Sequence, residues 1–231
     1  MQNSFVGDIG DFGKYALLNA LTGGALRLGV NWYLNAGATK SGDGKFTDYR
    51  QLRSCDPVLH DALKAIVQND RSIAAVERSG ILPLNTIFFP LPVSRPRAVW
   101  NDRALEALSG TELVFMDPDK GFGPAGPEYI VPEEVSAYLH RGQSVIVYQH
   151  QTRDKGGLDV TIPKTFTLLE SLGCETKPWA FVFRRRQARV YFIVPAPAHV
   201  ETLLQRSLSF LKTVWVRDKH FELWGPDKPL S

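Results

Sequence analysis

The sequence predicts an α/β fold, a mostly parallel sheet with an antiparallel hairpin near its C-terminal end. Three observations point there. Apolar runs short enough to be strands alternate with stretches of helical spacing four times over. No repeat, low-complexity tract or charge block divides the 231 residues, so 1–231 reads as one domain. The last third then changes pattern, to two strands around a charged turn.

Taken in order, YALLNALTGGALRLG has apolar residues at helical spacing and ends in glycines, and VNWYL follows as the first strand. The polar stretch from Asn35 to Arg53 reads as a loop. A second helix starts at Pro57 behind Ser54 or Asp56 as cap, because proline suits the first helical position. SIAAVERSG is a short helix and NTIFFPL a strand. NDRALEALSG is expected to be a helix capped by Asn101 or Asp102, ahead of the strand ELVFMD. VPEEVSAYLHRG and QSVIVYQH repeat the helix-to-strand step. PKTFTLLESLG is helical, and WAFVFRRRQARVYFIVPAP gives two strands around a turn from Arg185 to Ala188. HVETLLQRSLSFL is a final helix. Strands are therefore expected at Val30, Ile87, Val114, Val145, Phe181 and Tyr191, the last two antiparallel to each other.

Composition narrows the function classes. With 44% hydrophobic and 22% charged residues the chain is an ordered globular type. Its longest apolar runs are broken well short of the roughly 20 residues that cross a bilayer, and its start carries two acids and no apolar core, so a cytoplasmic protein with no membrane contact is expected. Two cysteines, Cys55 and Cys174, read as reduced, partly buried thiols. A net charge of +3 permits a polyanionic partner without requiring one. No HExxH, CxxC pair, Walker loop or GxSxG is present.

In open α/β sheets ligands bind outside the carboxyl ends of the strands, so polar residues that directly follow apolar strands are the candidates. ELVFMDPDKGF delivers Asp117, Pro118, Asp119, Lys120 and Phe122 there, either as a tight turn or as carboxylates able to hold a hard cation. FVGDIGDFGKYALL places Gly7, Asp8, Asp11, Lys14 and Tyr15 ahead of a helix, where the lysine can pair with a carboxylate and backbone N–H groups with an anion. The loop after VNWYL offers Gly37 for close backbone approach to a ligand. VIVYQHQTR brings Tyr148, Gln149 and His150 to the same edge, and His150 is a candidate general base or ligand. Arg184, Arg185, Arg186 and Arg189 crowd the hairpin turn, as a nucleic-acid contact or as solvated charges.

The DPDKGF loop resembles the Asp-Pro-Pro-Tyr motif of amino-group methyltransferases, with Asp117 and Pro118 matching. Asp119 stands at the second proline and Lys120 at the aromatic ring, leaving Phe122 as the nearest ring. The N-terminal run is similar to the opening of the bacterial ribosomal RNA adenine methyltransferases, with Gly7, Asp8, Asp11, Lys14 and Tyr15 at matching spacing. The resemblance implies a Rossmann-like class I methyltransferase fold and S-adenosylmethionine as cofactor. It implies cofactor contacts from the N-terminal run and Gly37, with Lys14 on the cofactor carboxylate. Asp117 and the Pro118 carbonyl would orient an amine, probed against Phe122 or Tyr148, with Asp119 and His150 beside them and a nucleobase of RNA or DNA as acceptor. The alternatives are a metal-dependent nuclease or phosphodiesterase using Asp117, Asp119 and His150, and a catalytically inactive nucleic-acid- or partner-binding domain. Over most of its length the chain also resembles a family of bacterial and phage-associated proteins sharing GDxGDFGKYxLL, DPDxG and RGQSxxVYxH, a resemblance that implies no activity.

Overall fold

The structure is a computed structural model that describes residues 1–35, 44–151, 156–225 and 229–230. In chain order its elements begin α1 (Ile9–Thr22), β1 (Leu28–Asn31), α2 (Pro57–Asn69), α3 (Ile73–Arg78), β2 (Ile87–Phe89), α4 (Arg97–Ala107) and β3 (Leu113–Met116). They continue with β4 (Gly121–Phe122), β5 (Tyr129–Ile130), α5 (Pro132–His140), β6 (Ser144–His150), α6 (Leu158–Ser171), β7 (Trp179–Arg185) and β8 (Gln187–Val194). The chain closes with α7 (Val200–Leu211), α8 (Val214–Arg217), β9 (Phe221–Trp224) and β10 (Pro229–Leu230).

The strands form a mixed eight-stranded sheet in the order β10-β9-β7-β8-β6-β3-β1-β2, with β4 and β5 as a separate parallel pair. The four strands β2, β1, β3 and β6 are mutually parallel, and β1 and β3 are buried along their whole length, as strands covered on both faces are. β8 then runs antiparallel to β6, β7 to β8 and β9 to β7. All six expected strand positions lie in strands.

Alternate residues feed two cores. Val30, Phe115, Ile146, Phe181 and Tyr191 face α1, α2, α3, α7 and α8, whereas Val114, Val145, Val147, Val182 and Phe192 face α4, α5 and α6. The result is a sheet between two helical layers. Cys55 and Cys174 are free and half-buried, and burial pushes both thiols up. No helix among the described residues is long and apolar enough to cross a membrane.

Several boundaries differ from expectation. The glycine-rich run does not precede its helix: Asp8 caps α1, so Gly10, Asp11, Gly13 and Lys14 form its first turns. Their glycines are packing residues. A Cβ on Gly13 would lie 2.9 Å from the Phe183 ring, and one on Gly10 2.3 Å from the Arg189 guanidinium, so α1 settles onto the sheet more closely than any side chain there would allow. α4 starts at Arg97 behind Pro96 rather than at Asn101 or Asp102, which lie inside it, because Trp100 is buried and draws the earlier turn onto the core. α6 starts at Leu158 and carries Pro163 within its first turns. The hairpin turn is the single residue Arg186, in the left-handed region, with Arg185 and Ala188 already in strands. That hairpin does not finish the sheet, since β9 and β10 extend it. Asp56 caps α2 as expected, accepting from the Leu59 N–H at 3.0 Å.

Candidate functional site

The chain leaves β1 towards β2 on one side and returns through α4 to β3 on the other. β1 and β3 are adjacent, so the loops from their carboxyl ends diverge at a topological switch point, where open α/β sheets bind ligands. The parallel register brings Asn31 opposite Met116, and Met116 opposite Val147. The loops after β1, β3 and β6 therefore emerge at one edge. Because β8 is antiparallel to β6, pairing Arg189 with His150, the turn at Arg186 lies at that edge too.

The first turn of α1 packs over this switch point from one layer. Asp8 Oδ1 accepts from the N–H groups of Gly10 (2.7 Å) and Asp11 (3.0 Å), while its Oδ2 accepts from Arg189 Nη2 at 3.4 Å. Burial, helped by Asp11, raises the Asp8 carboxyl above its usual range against the pull of Arg189. Asp11 accepts from the Gly7 N–H at 2.9 Å and from Lys14 Nζ at 2.8 Å. Gly7 holds a left-handed turn with its Cα against Val67, where a Cβ would stand 2.3 Å from that side chain.

Lys14 reaches across to Asp117, its Nζ 2.8 Å from Oδ2. This joins the N-terminal run to the DPD loop over 103 residues of sequence. Only 4% of Lys14 and 2% of Asp117 is exposed. Burial by itself would lower the lysine, but Asp11 and Asp117 outweigh it and hold the ammonium well above its ordinary range. Burial raises Asp117, with Lys14 opposing. The rings of Tyr15, Phe115 and Tyr148 stand 5.6, 5.9 and 5.8 Å from the ammonium, so two carboxylates and three aromatic rings enclose it. Tyr191 lies in the same wall with its hydroxyl buried and unpartnered.

Beside this cluster four oxygens converge. The backbone carbonyls of Trp32, Tyr33 and Asp117 and the Asp119 carboxylate surround the α-ammonium of Met1 at 3.0, 3.0, 3.3 and 2.9 Å. The Met1 thioether sulfur lies 4.0 Å from Lys14 Nζ. Asp119 is held by Gln2 and Asn35, whose side-chain amides each donate to Oδ2 at 3.3 Å, leaving Oδ1 for the ammonium. Pro118 lies between the two acids in the loop.

At the end of β6, Tyr148 Oη and His150 Nδ1 are 3.0 Å apart. Burial pushes the Tyr148 phenol up to about 12, and burial with Arg189 lowers His150. Gln149 grips the loop: its Oε1 accepts from the Phe122 N–H at 2.8 Å and its Nε2 donates to the Lys120 carbonyl at 3.1 Å. Gly121, at φ 101°, makes room, since a Cβ there would stand 2.2 Å from that carboxamide. Lys120 pairs with Glu128 over the Tyr129 ring rather than facing the switch point.

Neither protein-family models nor curated proteins match this chain.

Of the residues singled out from sequence, Asp8, Asp11, Lys14, Tyr15, Asp117, Asp119 and Tyr148 gather at the switch point, and Gly7 shapes its backbone. Gly37 lies outside the described residues. Among the described residues no group of three or more His, Cys, Asp or Glu is arranged to hold a metal, and Asp117 and Asp119 each pair with a cation of the chain itself. The arginines divide. Arg184 pairs with Glu222 and Arg189 is buried against Asp8, whereas Arg185 contacts His220 and Arg186 stacks 4.5 Å over Phe46. Sequence reasoning missed the backbone carbonyls of Trp32 and Tyr33, which no side-chain pattern marks. It also missed a buried cluster in which Glu134 accepts from Tyr33 Oη at 2.9 Å and from the Arg97 guanidinium. That cluster ties the end of β1 to α4 and α5.

Proposed function

We propose that the chain transfers a methyl group from S-adenosylmethionine to an amino group, with a nucleobase of RNA or DNA as acceptor. One observation carries this reading: at the switch point four oxygens hold an α-ammonium, with the thioether of the same residue 4.0 Å from Lys14 Nζ, and an α-ammonium and a thioether are the groups that the methionine end of the demethylated cofactor presents. The donor set fits that group, since carbonyl and carboxylate oxygens suit an ammonium. A ligand seated there takes the place Met1 holds. The strand order, with antiparallel β8 between β6 and β7, supports the class I methyltransferase comparison.

The cofactor supplies an activated methyl group; the chain's part is to bind and orient. Lys14 opposes the rise that burial imposes on Asp117, and the Asp117 side chain and the Pro118 carbonyl are the groups that accept hydrogen bonds from the acceptor amine. Phe122, whose backbone Gln149 fixes, and Tyr148 supply rings for the acceptor to stack against, worth roughly 1–3 kcal/mol per base. Arg185 and Arg186, at the same edge, offer phosphate contacts that weaken with salt.

Thermal unfolding with S-adenosylhomocysteine, the demethylated product, tests the reading. A ligand held at 100 times its Kd stabilises by about 2.7 kcal/mol. A shift with that compound, together with transfer of labelled methyl to RNA or DNA oligonucleotides, is the expected result. No shift with the product or the cofactor sinks the reading, and a shift with Mg²⁺ or Mn²⁺ instead returns the nuclease alternative.

A further inference from the structure

We infer that Asp119 is a specificity residue that selects ligands carrying an α-ammonium, an assignment that rests on the proposed function. Asp119 occupies the place where the resembled methyltransferases have a second proline, which has no side chain able to bind a cation. Its carboxylate is nearly buried, with 11% of the side chain exposed. The two amide donors on Oδ2 orient it, so that Oδ1 completes a cage whose other three oxygens are backbone carbonyls. Carbonyl dipoles solvate an ammonium, and among the described residues the carboxylate adds the one full negative charge in direct contact with it. Asp117 meets the ammonium through its backbone carbonyl, while its side-chain Oδ2 accepts from Lys14. The two acids of the DPD loop thus divide the work: Asp117 faces the lysine and the acceptor side, and Asp119 recognises the amino-acid end of the cofactor.

A pair of ligands isolates this contact. S-adenosylhomocysteine carries the α-ammonium, whereas 5′-methylthioadenosine keeps the thioether and nucleoside but lacks the amino-acid end. Calorimetric titration of both against the wild-type chain should give a preference for the first. Asp119→Asn should weaken S-adenosylhomocysteine by about tenfold or more, as loss of a charge-assisted hydrogen bond predicts, and leave 5′-methylthioadenosine unchanged. Asp119→Glu, which keeps the charge, should retain part of the preference, and serves if the asparagine variant does not fold. A wild type that discriminates while both variants discriminate equally well overturns the assignment of Asp119 alone. A wild type that binds neither compound overturns the methyltransferase reading and this inference with it.

Discussion

Lys14 is the residue on which the site's electrostatics turn. A buried ammonium between two buried carboxylates is tolerable only while all three partners are present, since removing one side of a buried pair leaves a charge without compensation. Lys14→Met should therefore destabilise the fold by about 3–5 kcal/mol, read by chemical denaturation. A loss under 1 kcal/mol would mean that the two carboxylates find other compensation without it. Asp117→Asn is nearly isosteric, yet it removes the charge that faces Lys14, so it should cost stability too, about 1–3 kcal/mol, and under the proposed function it should slow methyl transfer by about a hundredfold or more. Asp119→Asn should slow saturated transfer less than Asp117→Asn does. Single-turnover assays on both variants check the order, and an equal loss would contradict the separate roles of the two acids.

At the scale of elements, α1 shows how a glycine-rich run can be misread. Glycine inside a helix costs about 1 kcal/mol relative to alanine, so Gly10 and Gly13 argue for a loop on propensity alone. Their function is contact, and contact with strands some 170 residues away leaves no local trace. Gly13→Ala should lower stability by about 1–3 kcal/mol despite its better helix propensity, because the Phe183 ring it meets is fully buried against Trp215 and Phe221. An unchanged or raised unfolding midpoint would refute close packing there. The same contrast separates what was legible in the sequence from what was not. β1, β3 and β6 announce themselves as apolar runs, and Asp117 stands out as an acid at the end of one. β4 and β5 are two residues each, too short to show a period, and FELW in β9 follows a four-residue helix with no turn signal of its own. The candidate acids and the lysine were visible singly, but their pairing depends on strand order. Gln149 was visible at the sheet edge, and its grip on the loop was not.

For the whole molecule, the histidines lowered by folding should make mild acid more harmful than neutral pH, against the opposite pull of the raised carboxyls of Asp8 and Asp117. Burial holds His150 and His220 below the ordinary histidine value, with Arg189 and Arg185 adding to it respectively. A histidine depressed in the folded state binds its proton more readily once unfolded, so its contribution is fully present above about pH 6.5 and is lost as pH falls through the lowered folded value. The unfolding midpoint should drop between pH 7 and 5.5, and the drop should shrink in His150→Gln and His220→Gln. Equal slopes in wild type and both variants would assign the acid sensitivity elsewhere. The sheet has one further property as a body. Its outermost parallel strand, β2, is only three residues long, and the chain beyond it runs directly into Pro90 and Pro92, both exposed. Proline offers no N–H, so a foreign strand seeking to extend the sheet past β2 finds a template too short to hold it and donors missing where it continues. Replacing both prolines by serine should leave the monomer's stability nearly unchanged while speeding the growth of light scattering on prolonged heating, so that these two rings guard colloidal behaviour rather than the fold.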